Sequence, residues 1–120
     1  MRYLLSIYTN PANWDALTPS EREGMLAEYF AFTKEITESG EFLDGAQLAD
    51  ISGAQTVRVR GGETRVVDGP FAESKEQLAG FYLVECDSPK RAAELAAKIP
   101  DARYNAVEVR ALLDQGGQEM

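Results

Sequence analysis

The chain has 120 residues, 44% of them apolar, which is enough for one domain around a single core. Its formal net charge of −8 argues against binding to nucleic acid or to an anionic membrane surface, since both need a basic face. With no histidine and one cysteine, the sequence excludes His-based catalytic triads, His-ligated zinc and an internal disulfide. We therefore expect a cytoplasmic protein that uses no metal and no cofactor and has no membrane-spanning segment.

The N-terminal segment predicts a strand followed by a loop. Side chains from Arg2 to Tyr8 alternate between two faces, one of them apolar and the other mixed. Asn10 to Asn13 breaks this strand, and we expect Trp14 and Leu17 to pack over the core from the loop.

A long amphipathic helix is predicted next, between Thr18 and Gly40. Thr18 is placed as the N-cap, Pro19 suits the first turn, and Glu21 completes a capping box. Gly40 is a fitting residue just past the end of the helix. The apolar stripe expected to face the core recurs at helical spacing and has two flanking members: Met25, Tyr29, Phe32 and Ile36, widened by Leu26 and Phe30.

The middle of the chain predicts a weak strand and a clear hairpin. Glu41 to Leu48 is strand-like but is interrupted by Asp-Gly, and a loop follows as far as residue 54. Two alternating runs, Gln55–Arg60 and Glu63–Val67, flank a Gly-Gly turn. Arg58 and Arg60 share one face of this hairpin, where we expect solvated charges that discourage aggregation through the sheet.

The C-terminal part predicts a strand, a helix and a last strand. The strand runs from Gly80 to Cys86, whose thiol we expect to be buried and inert. The helix has Ser88 as its N-cap and Pro89 in its first turn, and it ends at Pro100. Ala106 to Leu113 alternates as a strand, and the polar, Gly-rich tail at residues 114–120 is expected to fray.

The element order is βαββαβ with one inserted hairpin. It predicts an α+β fold of the ferredoxin-like type over residues 1–113, with both helices on one face of an antiparallel sheet. The open face would carry Leu4, Ser6, Tyr8, Glu108 and Arg110, and it gains Tyr82, Val84 and Cys86 if Phe81 and Leu83 face the helices. Such a face is too apolar for water and too polar for a core, so we expect a homodimer formed through it.

Between the two sheets of that dimer we expect a cleft with polar walls that binds a small molecule. Tyr8, Tyr82, Glu108 and Arg110 are the candidate ligand-binding residues. The two tyrosines also fit the role of core or interface aromatics. Glu108 and Arg110 can form an ion pair, while the planar guanidinium of Arg110 also suits a substrate carboxylate.

The stretch from Asp68 to Glu76 joins the hairpin to the central strand. Gly69 supplies a positive φ for a tight turn, and the proline after it makes the turn rigid. One interpretation is architectural, with Asp68 accepting backbone hydrogen bonds and the later charges solvated. The other is catalytic, with Asp68 as an acid or base whose pKa is adjusted by Glu73 or Lys75.

This stretch, together with Leu78–Tyr82 and Val107–Arg110, closely resembles the DGPF family, a branch of the YCII-related domain proteins. The resemblance covers nearly the whole chain and implies a bacterial protein with the dimeric α/β-barrel form of the ferredoxin-like fold. The family is associated with extracytoplasmic-function sigma factors, which implies a regulatory role. YCII-like relatives are linked with an Asp–His pair, which this sequence cannot form. Ala111 stands where the family usually has proline, which affects the end of the strand more than the chemistry.

Two functions remain open at this point. The first is a cofactor-free acid–base enzyme, such as an isomerase or lyase, with Asp68 as proton carrier and Arg110 as substrate anchor. The second is a non-catalytic interaction module, for example one that acts on a sigma factor. An enzyme should gather Asp68, Arg110 and a tyrosine around one concavity, whereas a module should have a filled cleft and an exposed apolar patch elsewhere.

Overall fold

The structure, a computed structural model, describes residues 1–72 and 74–120, so the candidate residue Glu73 lies outside the described residues. Its elements are β1 (Arg2–Thr9), α1 (Pro11–Asp15), α2 (Pro19–Glu38), β2 (Phe42–Gln47), β3 (Gln55–Arg60), β4 (Glu63–Asp68), β5 (Gln77–Glu85), α3 (Pro89–Lys98), α4 (Asp101–Tyr104) and β6 (Ala106–Ala111). A single 3-10 turn, Ile51–Gly53, precedes β3.

Four strands form one antiparallel sheet in the order β2-β5-β1-β6. β1 pairs with β5 on one side and with β6 on the other, and β2 pairs with the remaining edge of β5. β3 and β4 form a separate two-stranded sheet. The prediction of an α+β fold with an antiparallel sheet is therefore confirmed.

The register between β1 and β5 decides which side chains face the helices. Tyr82 and Val84 pair with Leu5 and Tyr3, and directly opposed residues lie on the same face of a sheet. All four are buried in the core, as is Cys86, so the prediction that β5 turns these residues to the open face is wrong. Both alternating sets of β5 are apolar, so only its pairing with β1 distinguishes them. The open face instead carries the side chains of opposite parity, which include Leu4, Ser6, Tyr8, Phe81, Leu83, Glu108 and Arg110.

The core lies between this sheet and the helices α2 and α3. Its largest fully buried side chains come from the sheet, from α2 and from the region of α3. They include Leu5, Val84, Ile36, Leu95 and Ile99. Cys86 is buried as predicted, and burial raises the pKa of its thiol. This packing holds α3 and the C-terminal half of α2 against the sheet.

The N-terminal half of α2 packs less closely. Met25 is buried, but Leu26 and Phe30 are 48% and 78% exposed. The prediction that these two residues widen the buried stripe is wrong, because this side of α2 borders an open cleft instead of the sheet.

The two predicted helix starts are confirmed by hydrogen bonds. Thr18 Oγ1 accepts from the Glu21 N–H (3.1 Å), and Glu21 Oε1 accepts from the Thr18 N–H (3.0 Å), which completes the capping box. Ser88 Oγ accepts from the Arg91 N–H (3.1 Å) at the start of α3. Local sequence alone is enough to place both helices.

The hairpin of β3 and β4, called the arm (residues 55–68), extends beside the two-layer body. The Cα atoms span 48 × 46 × 18 Å, and the shortest dimension has room for one sheet and one helix layer only. The arm therefore covers neither face of the body. At its base, Thr56 Oγ1 donates to the Gly69 carbonyl (2.9 Å) and the Gly69 N–H donates to the Ala54 carbonyl (2.7 Å). Gly69 has the positive φ, 110°, that the turn predicts.

Two segments are more ordered than the sequence predicts. The residues after β1 form the short helix α1, where Trp14 is 39% exposed. The tail folds back, because Asp114 Oδ1 accepts two backbone hydrogen bonds and the Arg2 N–H donates to the Met120 carbonyl (2.7 Å). None of the helices in the described part of the chain is both long enough and apolar enough to span a membrane.

Candidate functional site

A cleft of about 630 Å³ opens between the N-terminal half of α2 and the helix-facing side of the sheet. Its volume lies in the range of small-molecule sites. The ends of β1, β2 and β5 form one wall, and α1 and α2 form the other. The walls are mainly apolar, with contributions from Trp14, Met25, Phe30, Phe42 and Leu48.

A buried carboxylate lies at the wall of this cleft. Asp101 opens the short helix α4 and is only 7% exposed. The Tyr29 hydroxyl donates to its Oδ2, and the Asn105 side-chain amide donates to its Oδ1 (3.1 Å). Both oxygens of the carboxylate are thus satisfied by neutral donors, as burial of a charged group requires.

Asn105 connects this carboxylate to the end of β1. Its Oδ1 accepts from the Asn10 N–H (3.0 Å) and from the Asn13 side-chain amide (2.8 Å). Asn13 also donates to the Tyr104 carbonyl (3.2 Å). The resulting network joins α1, α2 and α4 along one side of the cleft and fixes the position of the carboxylate.

The environment of Tyr29 keeps its phenol protonated. Burial, the hydrogen bond to Asp101 and the nearby carboxylate charge all raise the pKa of Tyr29. Because its proton points toward Asp101, the phenol oxygen keeps lone pairs for a donor in the cleft. The nearest arginine in sequence to Asp101, Arg103, is instead paired with Glu28 (2.5 Å).

A second tyrosine closes the inner end of the cleft. The hydroxyls of Tyr82 and Thr33 are 2.7 Å apart, and the Tyr82 ring meets Phe32 edge to face with centroids 5.1 Å apart. Burial raises the pKa of Tyr82, and the hydrogen bond with Thr33 opposes that shift. Tyr82 is thus a fixed, neutral wall residue with one hydroxyl at the cleft.

The predicted catalytic residues do not line this cleft. Asp68 and Lys75 are exposed, Asp68 at the end of β4 and Lys75 in the segment before β5. Among the described residues, the Asp68 carboxylate makes neither a turn-capping hydrogen bond nor an ion pair. Glu73, the third candidate, lies outside the described residues.

The predicted ligand-binding residues divide between two surfaces. Tyr82 lines the cleft, whereas Tyr8 is half-buried on the open sheet face. Glu108 and Arg110 form an ion pair (2.9 Å) on that same open face, with side chains 45% and 73% exposed. The structure therefore brings Glu108 and Arg110 together but separates them from Tyr82.

The segment after the arm is organised by a residue that sequence reasoning missed. Gln77 is 9% exposed and lines the cleft. Its side-chain amide donates to the carbonyls of Ala72 (2.9 Å) and Ser74. The stretch that contains Asp68 is thus held to the cleft wall through Gln77.

Asp101 and Asn105 were also missed, while Tyr29 was assigned only to the apolar stripe of α2. The one local signal is an aspartate directly after Pro100, at the end of a predicted helix. Such a position normally indicates a solvated turn. Among the described residues, no cluster of three acidic or cysteine side chains is arranged to hold a metal ion.

Comparison with known proteins places the chain among YCII-related domains. The model of that domain family matches residues 1–115. A protein of Rhizobium meliloti (strain 1021), named only as uncharacterised, is 36% identical over 114 residues. The match covers 93% of this chain and 92% of the relative, so the similarity includes the cleft, the arm and the open sheet face together.

Proposed function

Because this chain belongs to the YCII-related domain family, we propose that it is a small-molecule-binding protein whose site is the cleft beside α2. We assign it to the DGPF branch, on the strength of the stretch from Asp68 to Glu76. The strand order β2-β5-β1-β6 supports the ferredoxin-like form of the fold.

The proposed reaction is acid–base chemistry without a cofactor, such as an isomerisation. The observation that carries it is the buried Asp101 carboxylate, which reaches the cleft through the phenol of Tyr29. The Tyr29 oxygen takes a proton from the bound molecule while its own proton passes to Asp101. The two proton transfers then run in reverse: Asp101 returns a proton to Tyr29, and Tyr29 donates one to a neighbouring atom of the bound molecule. Both residues therefore end unchanged.

The proposal includes a cytoplasmic homodimer formed through the open sheet face. Leu4, Phe81 and Leu83 are only partly covered there, beside the exposed ion pair of Glu108 and Arg110. A second sheet packed on this face would bury the apolar side chains and leave the charges at its rim. A single, buried cysteine suits a reducing compartment.

The second candidate function is a non-catalytic regulatory module, for example one associated with an extracytoplasmic-function sigma factor. One observation favours it: the arm exposes valines that no described element covers. Against it stands the open cleft, since a module has no need of an unfilled cavity with a buried carboxylate at its wall. We therefore rank the small-molecule site first.

The test is ligand-observed NMR in D2O with a library of small hydroxy and oxo compounds. We expect apolar members to bind and some to gain deuterium at carbon. Asp101→Asn should abolish the deuterium exchange and keep binding, whereas the same acid-to-amide change at Asp68 should alter neither. Loss of exchange in Asp68→Asn with normal exchange in Asp101→Asn would instead assign the chemistry to Asp68.

A further inference from the structure

One face of the arm is largely apolar and exposed to solvent. Val57 pairs with Val66, and Val59 pairs with Thr64, so these four side chains share a face. The three valines are 59%, 55% and 57% exposed, respectively. β-Branched side chains in a strand normally pack against a neighbour, but each of these valines is more than half exposed.

An uncovered arm has little stability of its own, since an isolated two-stranded hairpin is marginal in water. The hydrogen bonds at its base, from Thr56 to Gly69 and from Gly69 to Ala54, join the two ends of the arm to each other and not to the body. A surface that packs on the valine face would supply the missing layer. The arm is thus built to be completed by something outside this chain.

The whole chain exposes more surface than a compact monomer of its mass. Its accessible surface is 8123 Å² for 13.2 kDa, against about 6,400 Å² for a typical folded monomer. Its radius of gyration is 16.5 Å, against about 13.6 Å for a compact domain of this length. The excess of roughly 1,700 Å² is more than the 800 Å² that each partner buries in a standard interface.

The charge of the arm indicates which partner it takes. Arg58, Arg60 and Arg65 against Glu63 and Asp68 give the arm, residues 55–68, a formal charge of +1, so the rest of the chain, in a total of −8, carries −9. The positive arm and the negative remainder of the chain attract each other at a distance, which steers two copies together although the arginines lie on the face opposite the valines. The same chain also has an unpartnered apolar sheet face, so a symmetric pair can cover both surfaces at once.

From these observations we propose that the arm is a clasp whose valine face packs on a second copy of this chain. The inference deepens the dimer of the proposed function and rests on it. The opposite face of the arm stays in water: there Arg58 lies over the Phe71 ring (5.2 Å), and Arg65 pairs with Glu63 (3.6 Å). Val67, on this water-facing side, is 64% exposed.

Val66 and Val67 therefore make a matched pair for a test. They are adjacent, belong to the same strand, are similarly exposed and lie on opposite faces. The dimer dissociation constant is measured by sedimentation equilibrium for the wild type, Val66→Lys and Val67→Lys. We expect Val66→Lys to raise it at least about tenfold, because a buried interface lysine loses its hydration, while Val67→Lys leaves it within about threefold.

A further variant, Val66→Thr, keeps the β-branched shape in case the lysine disturbs the arm, and it should weaken the dimer in the same direction. An unchanged dissociation constant for both Val66 variants overturns the clasp and leaves the sheet-face dimer standing. Equal weakening by Val66→Lys and Val67→Lys also overturns it. A wild type that is monomeric at micromolar concentration overturns both the clasp and the dimer, while the cleft is judged separately by the NMR experiment.

Discussion

The Tyr29 hydroxyl donates a hydrogen bond to Asp101 Oδ2, joining α2 to α4 across 72 positions of sequence. Glu28 and Arg103 also pair α2 with α4 (2.5 Å), but neither lines the cleft, so among the described residues the Tyr29–Asp101 contact is the side-chain hydrogen bond that joins the two helices at the cleft. The contact therefore fixes the wall of the cleft and is the route that we propose for the proton.

Tyr29→Phe should lower the free energy of unfolding by about 1–3 kcal/mol, because a buried carboxylate oxygen loses its donor. Urea unfolding at neutral pH measures this loss. Tyr3→Phe is the control, since among the described residues the Tyr3 hydroxyl hydrogen-bonds only to the Met1 sulfur (3.7 Å), and Tyr3 lies outside the cleft. Equal losses in both variants would show that the Tyr29 hydroxyl is not specially engaged.

Glu41→Gln should cost about 1–2 kcal/mol at neutral pH and almost nothing in acid. Arg91 donates to both Glu41 oxygens (2.9 Å each), and this pairing lowers the pKa of Glu41 below its ordinary 4.5. A lowered pKa gives stability that is complete above about pH 4.5 and is lost as the pH falls toward the folded-state value. Unfolding curves at several pH values below neutrality show whether the difference disappears in that window.

Glu85→Gln is the control for that pH series. Glu85 and Arg2 are 4.0 Å apart and their side chains are 50% and 41% exposed, so water screens their attraction. We expect a loss below about 0.5 kcal/mol at every pH. A Glu41→Gln cost that persists unchanged in strong acid would mean that packing, and not the ion pair, is responsible.

Gly80→Ala should destabilise the sheet by about 1–3 kcal/mol. A Cβ at Gly80 would lie 2.7 Å from the Ala46 carbonyl oxygen, so β2 and β5 would have to move apart. Gly24→Ala is the matched change in α2, where a Cβ meets nothing within 4 Å, and it should add about 0.5–1 kcal/mol. Thermal unfolding should therefore shift in opposite directions for the two variants.

Gln77→Glu should loosen the segment before β5. The substitution replaces a donor with a carboxylate that faces two carbonyl oxygens, those of Ala72 and Ser74. We expect trypsin to cleave after Lys75 several times faster than in the wild type. Gln55→Glu, at an exposed position of the arm, should leave that rate unchanged, and equal rates in all three proteins would contradict the role of Gln77.

Local sequence signals predicted much of this fold. Thr18 and Ser88 mark the helix starts through short-range hydrogen bonds, and the Gly-Gly turn marks the arm, because each depends on only a few consecutive residues. The face of β5 was not predictable in this way. Its two alternating sets of side chains are both apolar, and pairing with another strand chooses between them.

The candidate site was less predictable than the fold. Asp101 follows a proline that ends a helix, so its local sequence indicates a solvated turn. It becomes a buried carboxylate only because Tyr29, from a distant helix, comes to lie against it. The prominent stretch at Asp68 draws attention by composition alone, yet its described residues lie outside the cleft.

Farther along the chain on either side of the arm, residues 47–51 and 77–80 line the cleft. If the proposed partner restrains these segments through the arm, it also restrains part of the wall that a bound molecule would contact. By thermodynamic linkage, the factor by which self-association would raise the affinity for the ligand equals the factor by which the ligand would raise the affinity of self-association. Such coupling would let the concentration of a metabolite control the assembly state of this protein, with no second site required.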